Sequence, residues 1–110
     1  MNRIIFFFIL LFSINLNAQK IYSVDYSSQA DVKVYVSEYE SRADLIVCKV
    51  DYASQSGNND GKWYFVDYSS MADKKIFFVK YESQSDIIIS FTEYKSRSGW
   101  KKKDKIHFFY

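Results

Sequence analysis

The chain of 110 residues has no proline, one cysteine, one histidine and three glycines. With a single thiol no internal disulfide can form, so the fold must hold without a covalent staple even in an oxidising compartment. Cys48 lies in the apolar run Leu45-Ile46-Val47-Cys48 and reads as a small buried core residue; a reactive or chain-linking thiol is the lesser reading. His107, the single histidine, also sits in core-like surroundings, and a Cys-His pair would need an orienting third group and an exposed nucleophile. Nucleophile elbow, phosphate loop and metal-ligand spacing are all missing. The lack of proline is consistent with strands packed on every side. Gly57, Gly61 and Gly99 are the only glycines, and Gly57-Asn58-Asn59-Asp60-Gly61 is the one obvious loop, made of residues that tolerate positive φ.

What is present is a repeat. Tyr26 recurs as Tyr39, Tyr52, Tyr68, Tyr81 and Tyr94, at spacings of 13, 13, 16, 13 and 13. Serine follows each two residues on, as Ser28, Ser41, Ser54, Ser70, Ser83 and Ser96. Four units then place aspartate three further on, as Asp31, Asp44, Asp73 and Asp86, while the other two carry Gly57 and Gly99 there. At a second level, residues 22–57 laid over 64–99, an offset of 42, give 18 identities in 36 positions. That reads as duplication of a three-unit block, with halves at about 20–61 and 62–110.

At the start, Met1-Asn2-Arg3 is a short positive segment and residues 4–14 are an apolar run broken only by Ser13. Eleven helical residues rise only about 16 Å, against roughly 20 residues for a membrane span. Residues 1–18 therefore read as a secretory signal peptide cleaved after Ala18, with an uncleaved interfacial helix as the alternative. Residues 19–110 remain as one small exported domain, periplasmic or secreted, with no transmembrane segment. A core at that size is feasible but marginal.

Charge divides between the halves. Residues 19–61 carry four basic and seven acidic side chains, and residues 62–110 carry ten and six. Much of the excess is Lys101, Lys102, Lys103 and Lys105, a solvated turn or, with Trp63 and Trp100, a docking patch for an anionic envelope surface or acidic protein. No nucleic-acid motif is present. Calcium would need several oxygen ligands within about a dozen residues around glycine. Asp25, Glu38, Asp51, Asp67 and Glu93, with the four aspartates above, are spread one or two per unit instead. No metal, cofactor or catalytic residue is assigned, and a monomer is expected.

Between the turns the pattern is that of strands. Val32–Val36 alternates with period two, and the runs 45–48, 63–66, 76–79 and 87–89 read as strands buried on both faces. Residues 106–110 look like a final strand. The segment Ser28-Gln29-Ala30-Asp31 has the form of a capping box, in which the serine caps the amide three residues on and the acid reaches back. Each unit is then strand, one capped helical turn, strand, with the tyrosine at the strand end closing the core. Connections this short predict an antiparallel meander.

The tandem Val24-Asp25-Tyr26-Ser27-Ser28-Gln29-Ala30-Asp31 signature resembles a bacterial family of short proteins of unknown function with a septafoil, seven-crossing torus knot. The resemblance runs over residues 20–110, departing at Met71, Gly57 and Gly99. It implies two halves wound around each other in a deeply knotted, mostly β single domain, and it brings no active site. The function expected is a non-catalytic exported binding or structural module; a small enzyme or inhibitor acting on an envelope or extracellular substrate is the alternative.

Overall fold

A computed structural model describes residues 19–56 and 59–110. The expected signal peptide, Gly57 and Asn58 lie outside the described residues. Seven strands form one sheet: β1 (Gln19–Ser23), β2 (Val32–Val36), β3 (Leu45–Lys49), β4 (Lys62–Phe65), β5 (Lys74–Phe78), β6 (Ile87–Thr92) and β7 (Gly99–Trp100). Their order is β4-β1-β5-β2-β6-β3-β7, and a further β4–β3 pairing closes the first six into a barrel. All six barrel seams are parallel, and β7 alone is antiparallel, against β3.

The antiparallel meander expected from the short connections is therefore wrong, and the scarcity of glycine explains why. Tight hairpins need φ > 0 at one or both central residues, supplied mostly by glycine or asparagine. Between β1 and β2 the chain instead makes one 3₁₀ turn, Ser27–Gln29, entered through Tyr26 (φ −131°, ψ 137°) and left through Ala30 (φ −91°, ψ 145°), both extended. Such a unit turns a corner without reversing direction. The same corner recurs at Glu40–Arg42, Ala53–Gln55, Ser69–Met71, Glu82–Gln84 and Lys95–Arg97.

Parallel neighbours usually need a crossover of a dozen or more residues. Stagger removes that need here. The first part of β1, Gln19–Ile21, pairs with β4, and its second part, Ile21–Ser23, pairs with β5. Likewise β2 passes from β5 to β6 at Val34. Each strand thus slants past its neighbours, and the chain re-enters the sheet two positions along. Strands of the first half (β1, β2, β3) alternate with those of the second (β4, β5, β6), so every barrel seam joins one half to the other.

The interior is filled by side chains, as a barrel this small requires. Ile21, Val32, Val34, Leu45, Val47, Trp63, Ile76, Ile87, Ile89 and Phe109 form one cluster. All but Phe109 are inward positions of the strands. Of the four runs expected to be buried on both faces, only Leu45–Cys48 is buried throughout, on the strand that β7 pairs with; elsewhere the outward residues are half-exposed. Cys48 is buried as expected.

The end of the chain also departs from expectation. Residues Lys103–Phe109 are 3₁₀ helix, not a strand. The amides of Lys101 and Lys102 both donate to the Asp44 carbonyl, at 2.8 and 3.1 Å, and there the chain leaves the ladder. Phe109 then packs into the core beside Trp63, with ring centroids 5.1 Å apart. His107 is exposed, against the core-like setting read from its neighbours, because the inward place on this segment goes to Phe109.

Candidate functional site

The four signature aspartates do not complete capping boxes. Each 3₁₀ turn starts before the signature serine, so Ser28 and its equivalents stand at the middle of the turn, exposed, and no side-chain cap forms from the N-cap residue. The aspartate is the bend residue immediately before the next strand. Asp31 N–H donates to the Lys75 carbonyl (2.7 Å), while its carboxylate accepts the Lys75 N–H (2.9 Å). Asp73 does the same to Lys20, Asp86 to Lys33 and Asp44 to Ile88. Each aspartate is thus a two-point clasp on the strand beside it, and the four clasps join β1, β5, β2, β6 and β3 in succession. In the third unit, Gln55 accepts the amides of Asp51 and Tyr52, at 3.2 and 3.3 Å.

Three of the four clasped residues are lysines (Lys20, Lys33 and Lys75), so an ammonium-bearing side chain starts next to each carboxylate. The fourth is Ile88. There the charge comes from the end of the chain: Lys102 and Lys105 bring Nζ to 3.7 and 3.5 Å from Asp44, which is 2% exposed. Part of the basic run expected to form a docking patch therefore neutralises a buried carboxylate. Lys101 bonds the Glu40 carbonyl (3.1 Å), and Lys103 is exposed. Trp63, expected in the same patch, is 1% exposed and belongs to the core, because its position on β4 points inward. Trp100 is half-buried, its indole N–H shared between the Asn59 carbonyl and side-chain oxygens.

The signature tyrosines do not close the core either. Tyr26, Tyr39, Tyr52, Tyr68, Tyr81 and Tyr94 are all 57–67% exposed. Each is the extended residue that enters a corner, where the chain swings off the barrel wall. Between neighbouring corners lie grooves on the outside of the barrel. One, of about 470 Å³, runs between the Ser69–Met71 and Ser27–Gln29 turns and is lined by Tyr22, Val24, Asp25, Tyr26, Gln29, Ser69 and Lys75. A second, also of about 470 Å³, runs between the Ser27–Gln29 and Glu82–Gln84 turns and is lined by Ser27, Lys33, Phe77, Val79, Ser83 and Gln84.

These grooves are one arrangement written twice. One step around the barrel carries Ser69 and Lys75 to Ser27 and Lys33, each 42 residues earlier, and Tyr22, Val24 and Gln29 to Phe77, Val79 and Gln84, each 55 later. The next step takes Ser27 to Glu82, Lys33 to Ile88 and Gln84 to Arg42, and an Arg42–Glu82 ion pair of 2.7 Å crosses between the corners. One more step gives Glu40, Ile46 and Arg97, again bridged at 2.7 Å. Its hydrogen bond to Glu40, reinforced by the carboxylate charge, raises the Arg97 pKa above its ordinary value. So two grooves are open and carry lysine, serine and glutamine; the next two positions are crossed by arginine–glutamate pairs, the second beside a smaller groove of about 300 Å³ lined by Glu40, Ile46, Arg97 and Trp100.

A protein-family model described as the 7(1) septoil knot domain matches residues 18–101. The chain belongs to that family. The resemblance drawn from the repeats is thereby met, and the septoil knot match spans the first half, most of the second, all six corners and β7. Beyond it lie residues 102–110, which hold Lys102, Lys105 and the core residue Phe109. No curated protein and no solved structure matches the chain. Among the described residues no helix is long and apolar enough to cross a membrane.

The corner-to-corner grooves escaped the reading of the sequence because each joins residues 40 to 57 apart. Their signal was nonetheless present. Lysine stands two residues after aspartate in units one and four (Asp31-Val32-Lys33, Asp73-Lys74-Lys75), and isoleucine in units two and five (Asp44-Leu45-Ile46, Asp86-Ile87-Ile88).

Proposed function

We propose that the protein is an exported, non-catalytic binding or structural module built on an internally duplicated and deeply knotted barrel. The observation that carries this reading is the use made of the signature: its four aspartates are clasps on neighbouring strands, and what the repeat leaves at the surface is a spiral of tyrosine-bearing corners. The alternation of the halves around the barrel is the arrangement expected of two blocks wound about each other. In support of the non-catalytic reading, Cys48 is buried while His107 is exposed on the C-terminal 3₁₀ helix. Export rests on the short positive segment and apolar run that precede Gln19. Threading would slow unfolding and resist pulling proteases, which suits an exported chain without disulfides.

Single-molecule stretching from residues 19 and 110 tests the knot. The 92 residues between those ends (110 − 18) extend to on the order of 300 Å when unknotted, at about 3.3–3.6 Å each. A seven-crossing knot tightens and withholds tens of Å of that contour, and recovery of the full length refutes it. Intact mass of the exported protein, starting at Gln19 as glutamine or pyroglutamate, tests cleavage after Ala18.

A further inference from the structure

We infer that the two open grooves flanking the Ser27–Gln29 turn together bind a linear, uncharged, hydroxyl-rich polysaccharide. This deepens the binding-module reading and rests on it. A half-buried ring, Tyr22 in one groove and Phe77 in the other, offers the flat apolar face on which a sugar ring stacks. Around it stand side chains that donate to or accept from hydroxyls: Gln29, Ser69 and Lys75 in the first, Ser27, Gln84 and Lys33 in the second. Tyr26, 67% exposed, rises at the rim of the first groove.

Each groove carries a single lysine, so neither concentrates positive charge for a polyanion. The Asp31 carboxylate sits on the Lys75 amide at 2.9 Å and the Asp86 carboxylate on the Lys33 amide at 2.8 Å, so each groove lysine starts beside a fixed negative charge. Asp25 adds another at the first groove. Lipid is disfavoured by the serines, glutamines and lysines that make up much of both linings. Repetition decides for a polymer. Small ligands are held where most of their surface is buried, which an open surface groove does not provide. Two copies of one arrangement, a single corner apart, instead favour a chain that places successive units in both and gains by joint occupancy. On the far side of the Glu82–Gln84 turn, the Arg42–Glu82 pair and the exchange of lysine for Ile88 end the track.

The test is affinity electrophoresis of the protein from residue 19 in gels containing laminarin, hydroxyethylcellulose, dextran or yeast mannan, with glucose and mannose as competitors. Retardation by at least one polymer is expected, weakened about tenfold by Phe77→Ala or Tyr22→Ala and retained by Tyr22→Phe. The double variant Tyr22→Ala with Phe77→Ala should lose binding, while Ser41→Ala in the bridged groove should not change it. Rewriting that groove as open, with Arg42→Gln, Glu82→Ser and Ile88→Lys, should tighten binding to the polymer and leave monosaccharide competition unaltered. Retardation by none of the four polymers, or retardation indifferent to Tyr22 and Phe77, overturns the inference. In that event, crosslinking of the exported protein in its host separates the two readings: a captured protein keeps the binding module and discards the glycan, and no capture discards both.

Discussion

Removing the Asp44 carboxylate should cost more than removing any other clasp. Asp44→Ala deletes the acceptor of the Ile88 amide, a charge-assisted bond of about 1.5–3 kcal/mol. It also strips Lys102 and Lys105 of their partner, but those side chains are 56% and 37% exposed, so each pair adds no more than about 1 kcal/mol. Together the loss is about 1.5–5 kcal/mol, or a fall in Tm of roughly 6–40 °C at about 4–8 °C per kcal/mol. The backbone bonds from Lys101 and Lys102 to the Asp44 carbonyl survive the truncation. At the exposed Asp31 and Asp73 water can replace the lost acceptor, and about 1 kcal/mol is expected. Equilibrium denaturation followed by the fluorescence of Trp63 and Trp100, approached from both the folded and the unfolded side, measures each variant. A double-mutant cycle of Asp44→Asn with Lys102→Ala and Lys105→Ala isolates the charge contribution. Equal losses at Asp44 and Asp31, with no coupling to the lysines, would refute the account of the C-terminal run as a charge partner.

Other substitutions discriminate among the roles assigned here. Ser28→Ala and Ser70→Ala should change stability by less than about 0.5 kcal/mol, since neither hydroxyl caps a turn; a loss near 1 kcal/mol in denaturant titration would restore the capping box. Gly61→Ala should be severely destabilising, because Gly61 has φ +87° and an added Cβ would collide with the Ile46 carbonyl and stand 2.8 Å from the Gly99 nitrogen. A fully folded, equally stable Gly61→Ala protein would contradict that packing. Phe109→Ala should cost about 3–5 kcal/mol and quench or shift the Trp63 emission, whereas Tyr110→Ala, at an exposed site, should do neither.

Much of the architecture was legible in the sequence and its central geometry was not. The recurring tyrosine located every corner, and the period-two pattern of Val32–Val36 and the apolar runs at 76–79 and 87–89 marked strands. Local pattern carries that much because side-chain alternation is a property of a single strand. Pairing partners are not local. Asp31 has a serine three residues before it, and from the sequence alone a cap is the nearest use for its carboxylate; its true partner, Lys75, is 44 residues away. Tyr26 and its five equivalents were read inward from their size, when the extended conformation at the corner turns them out. Trp63 stood both in the buried run 63–66 and, with Trp100, in the docking patch; β4 directs it inward, which settles it for the core. The resemblance to knotted proteins supplied the expectation of intertwined halves, which no short-range feature carries.

The alternation of the halves also sets a clock. Among the described residues no strand of 19–61 has a sheet partner within that stretch, since β1, β2 and β3 pair only with β4, β5, β6 and, for β3, β7. When the first half leaves the ribosome it holds three strands whose edges are all unsatisfied, and β2 has no neighbour until β5 and β6 exist. At about 5–20 residues per second, the roughly fifty residues of the second half take on the order of several seconds to follow. For that interval the first half can be neither folded nor finished. Anything that acts on an unpaired strand, whether a holding chaperone, a protease or a translocation pore, has that window in which to meet it.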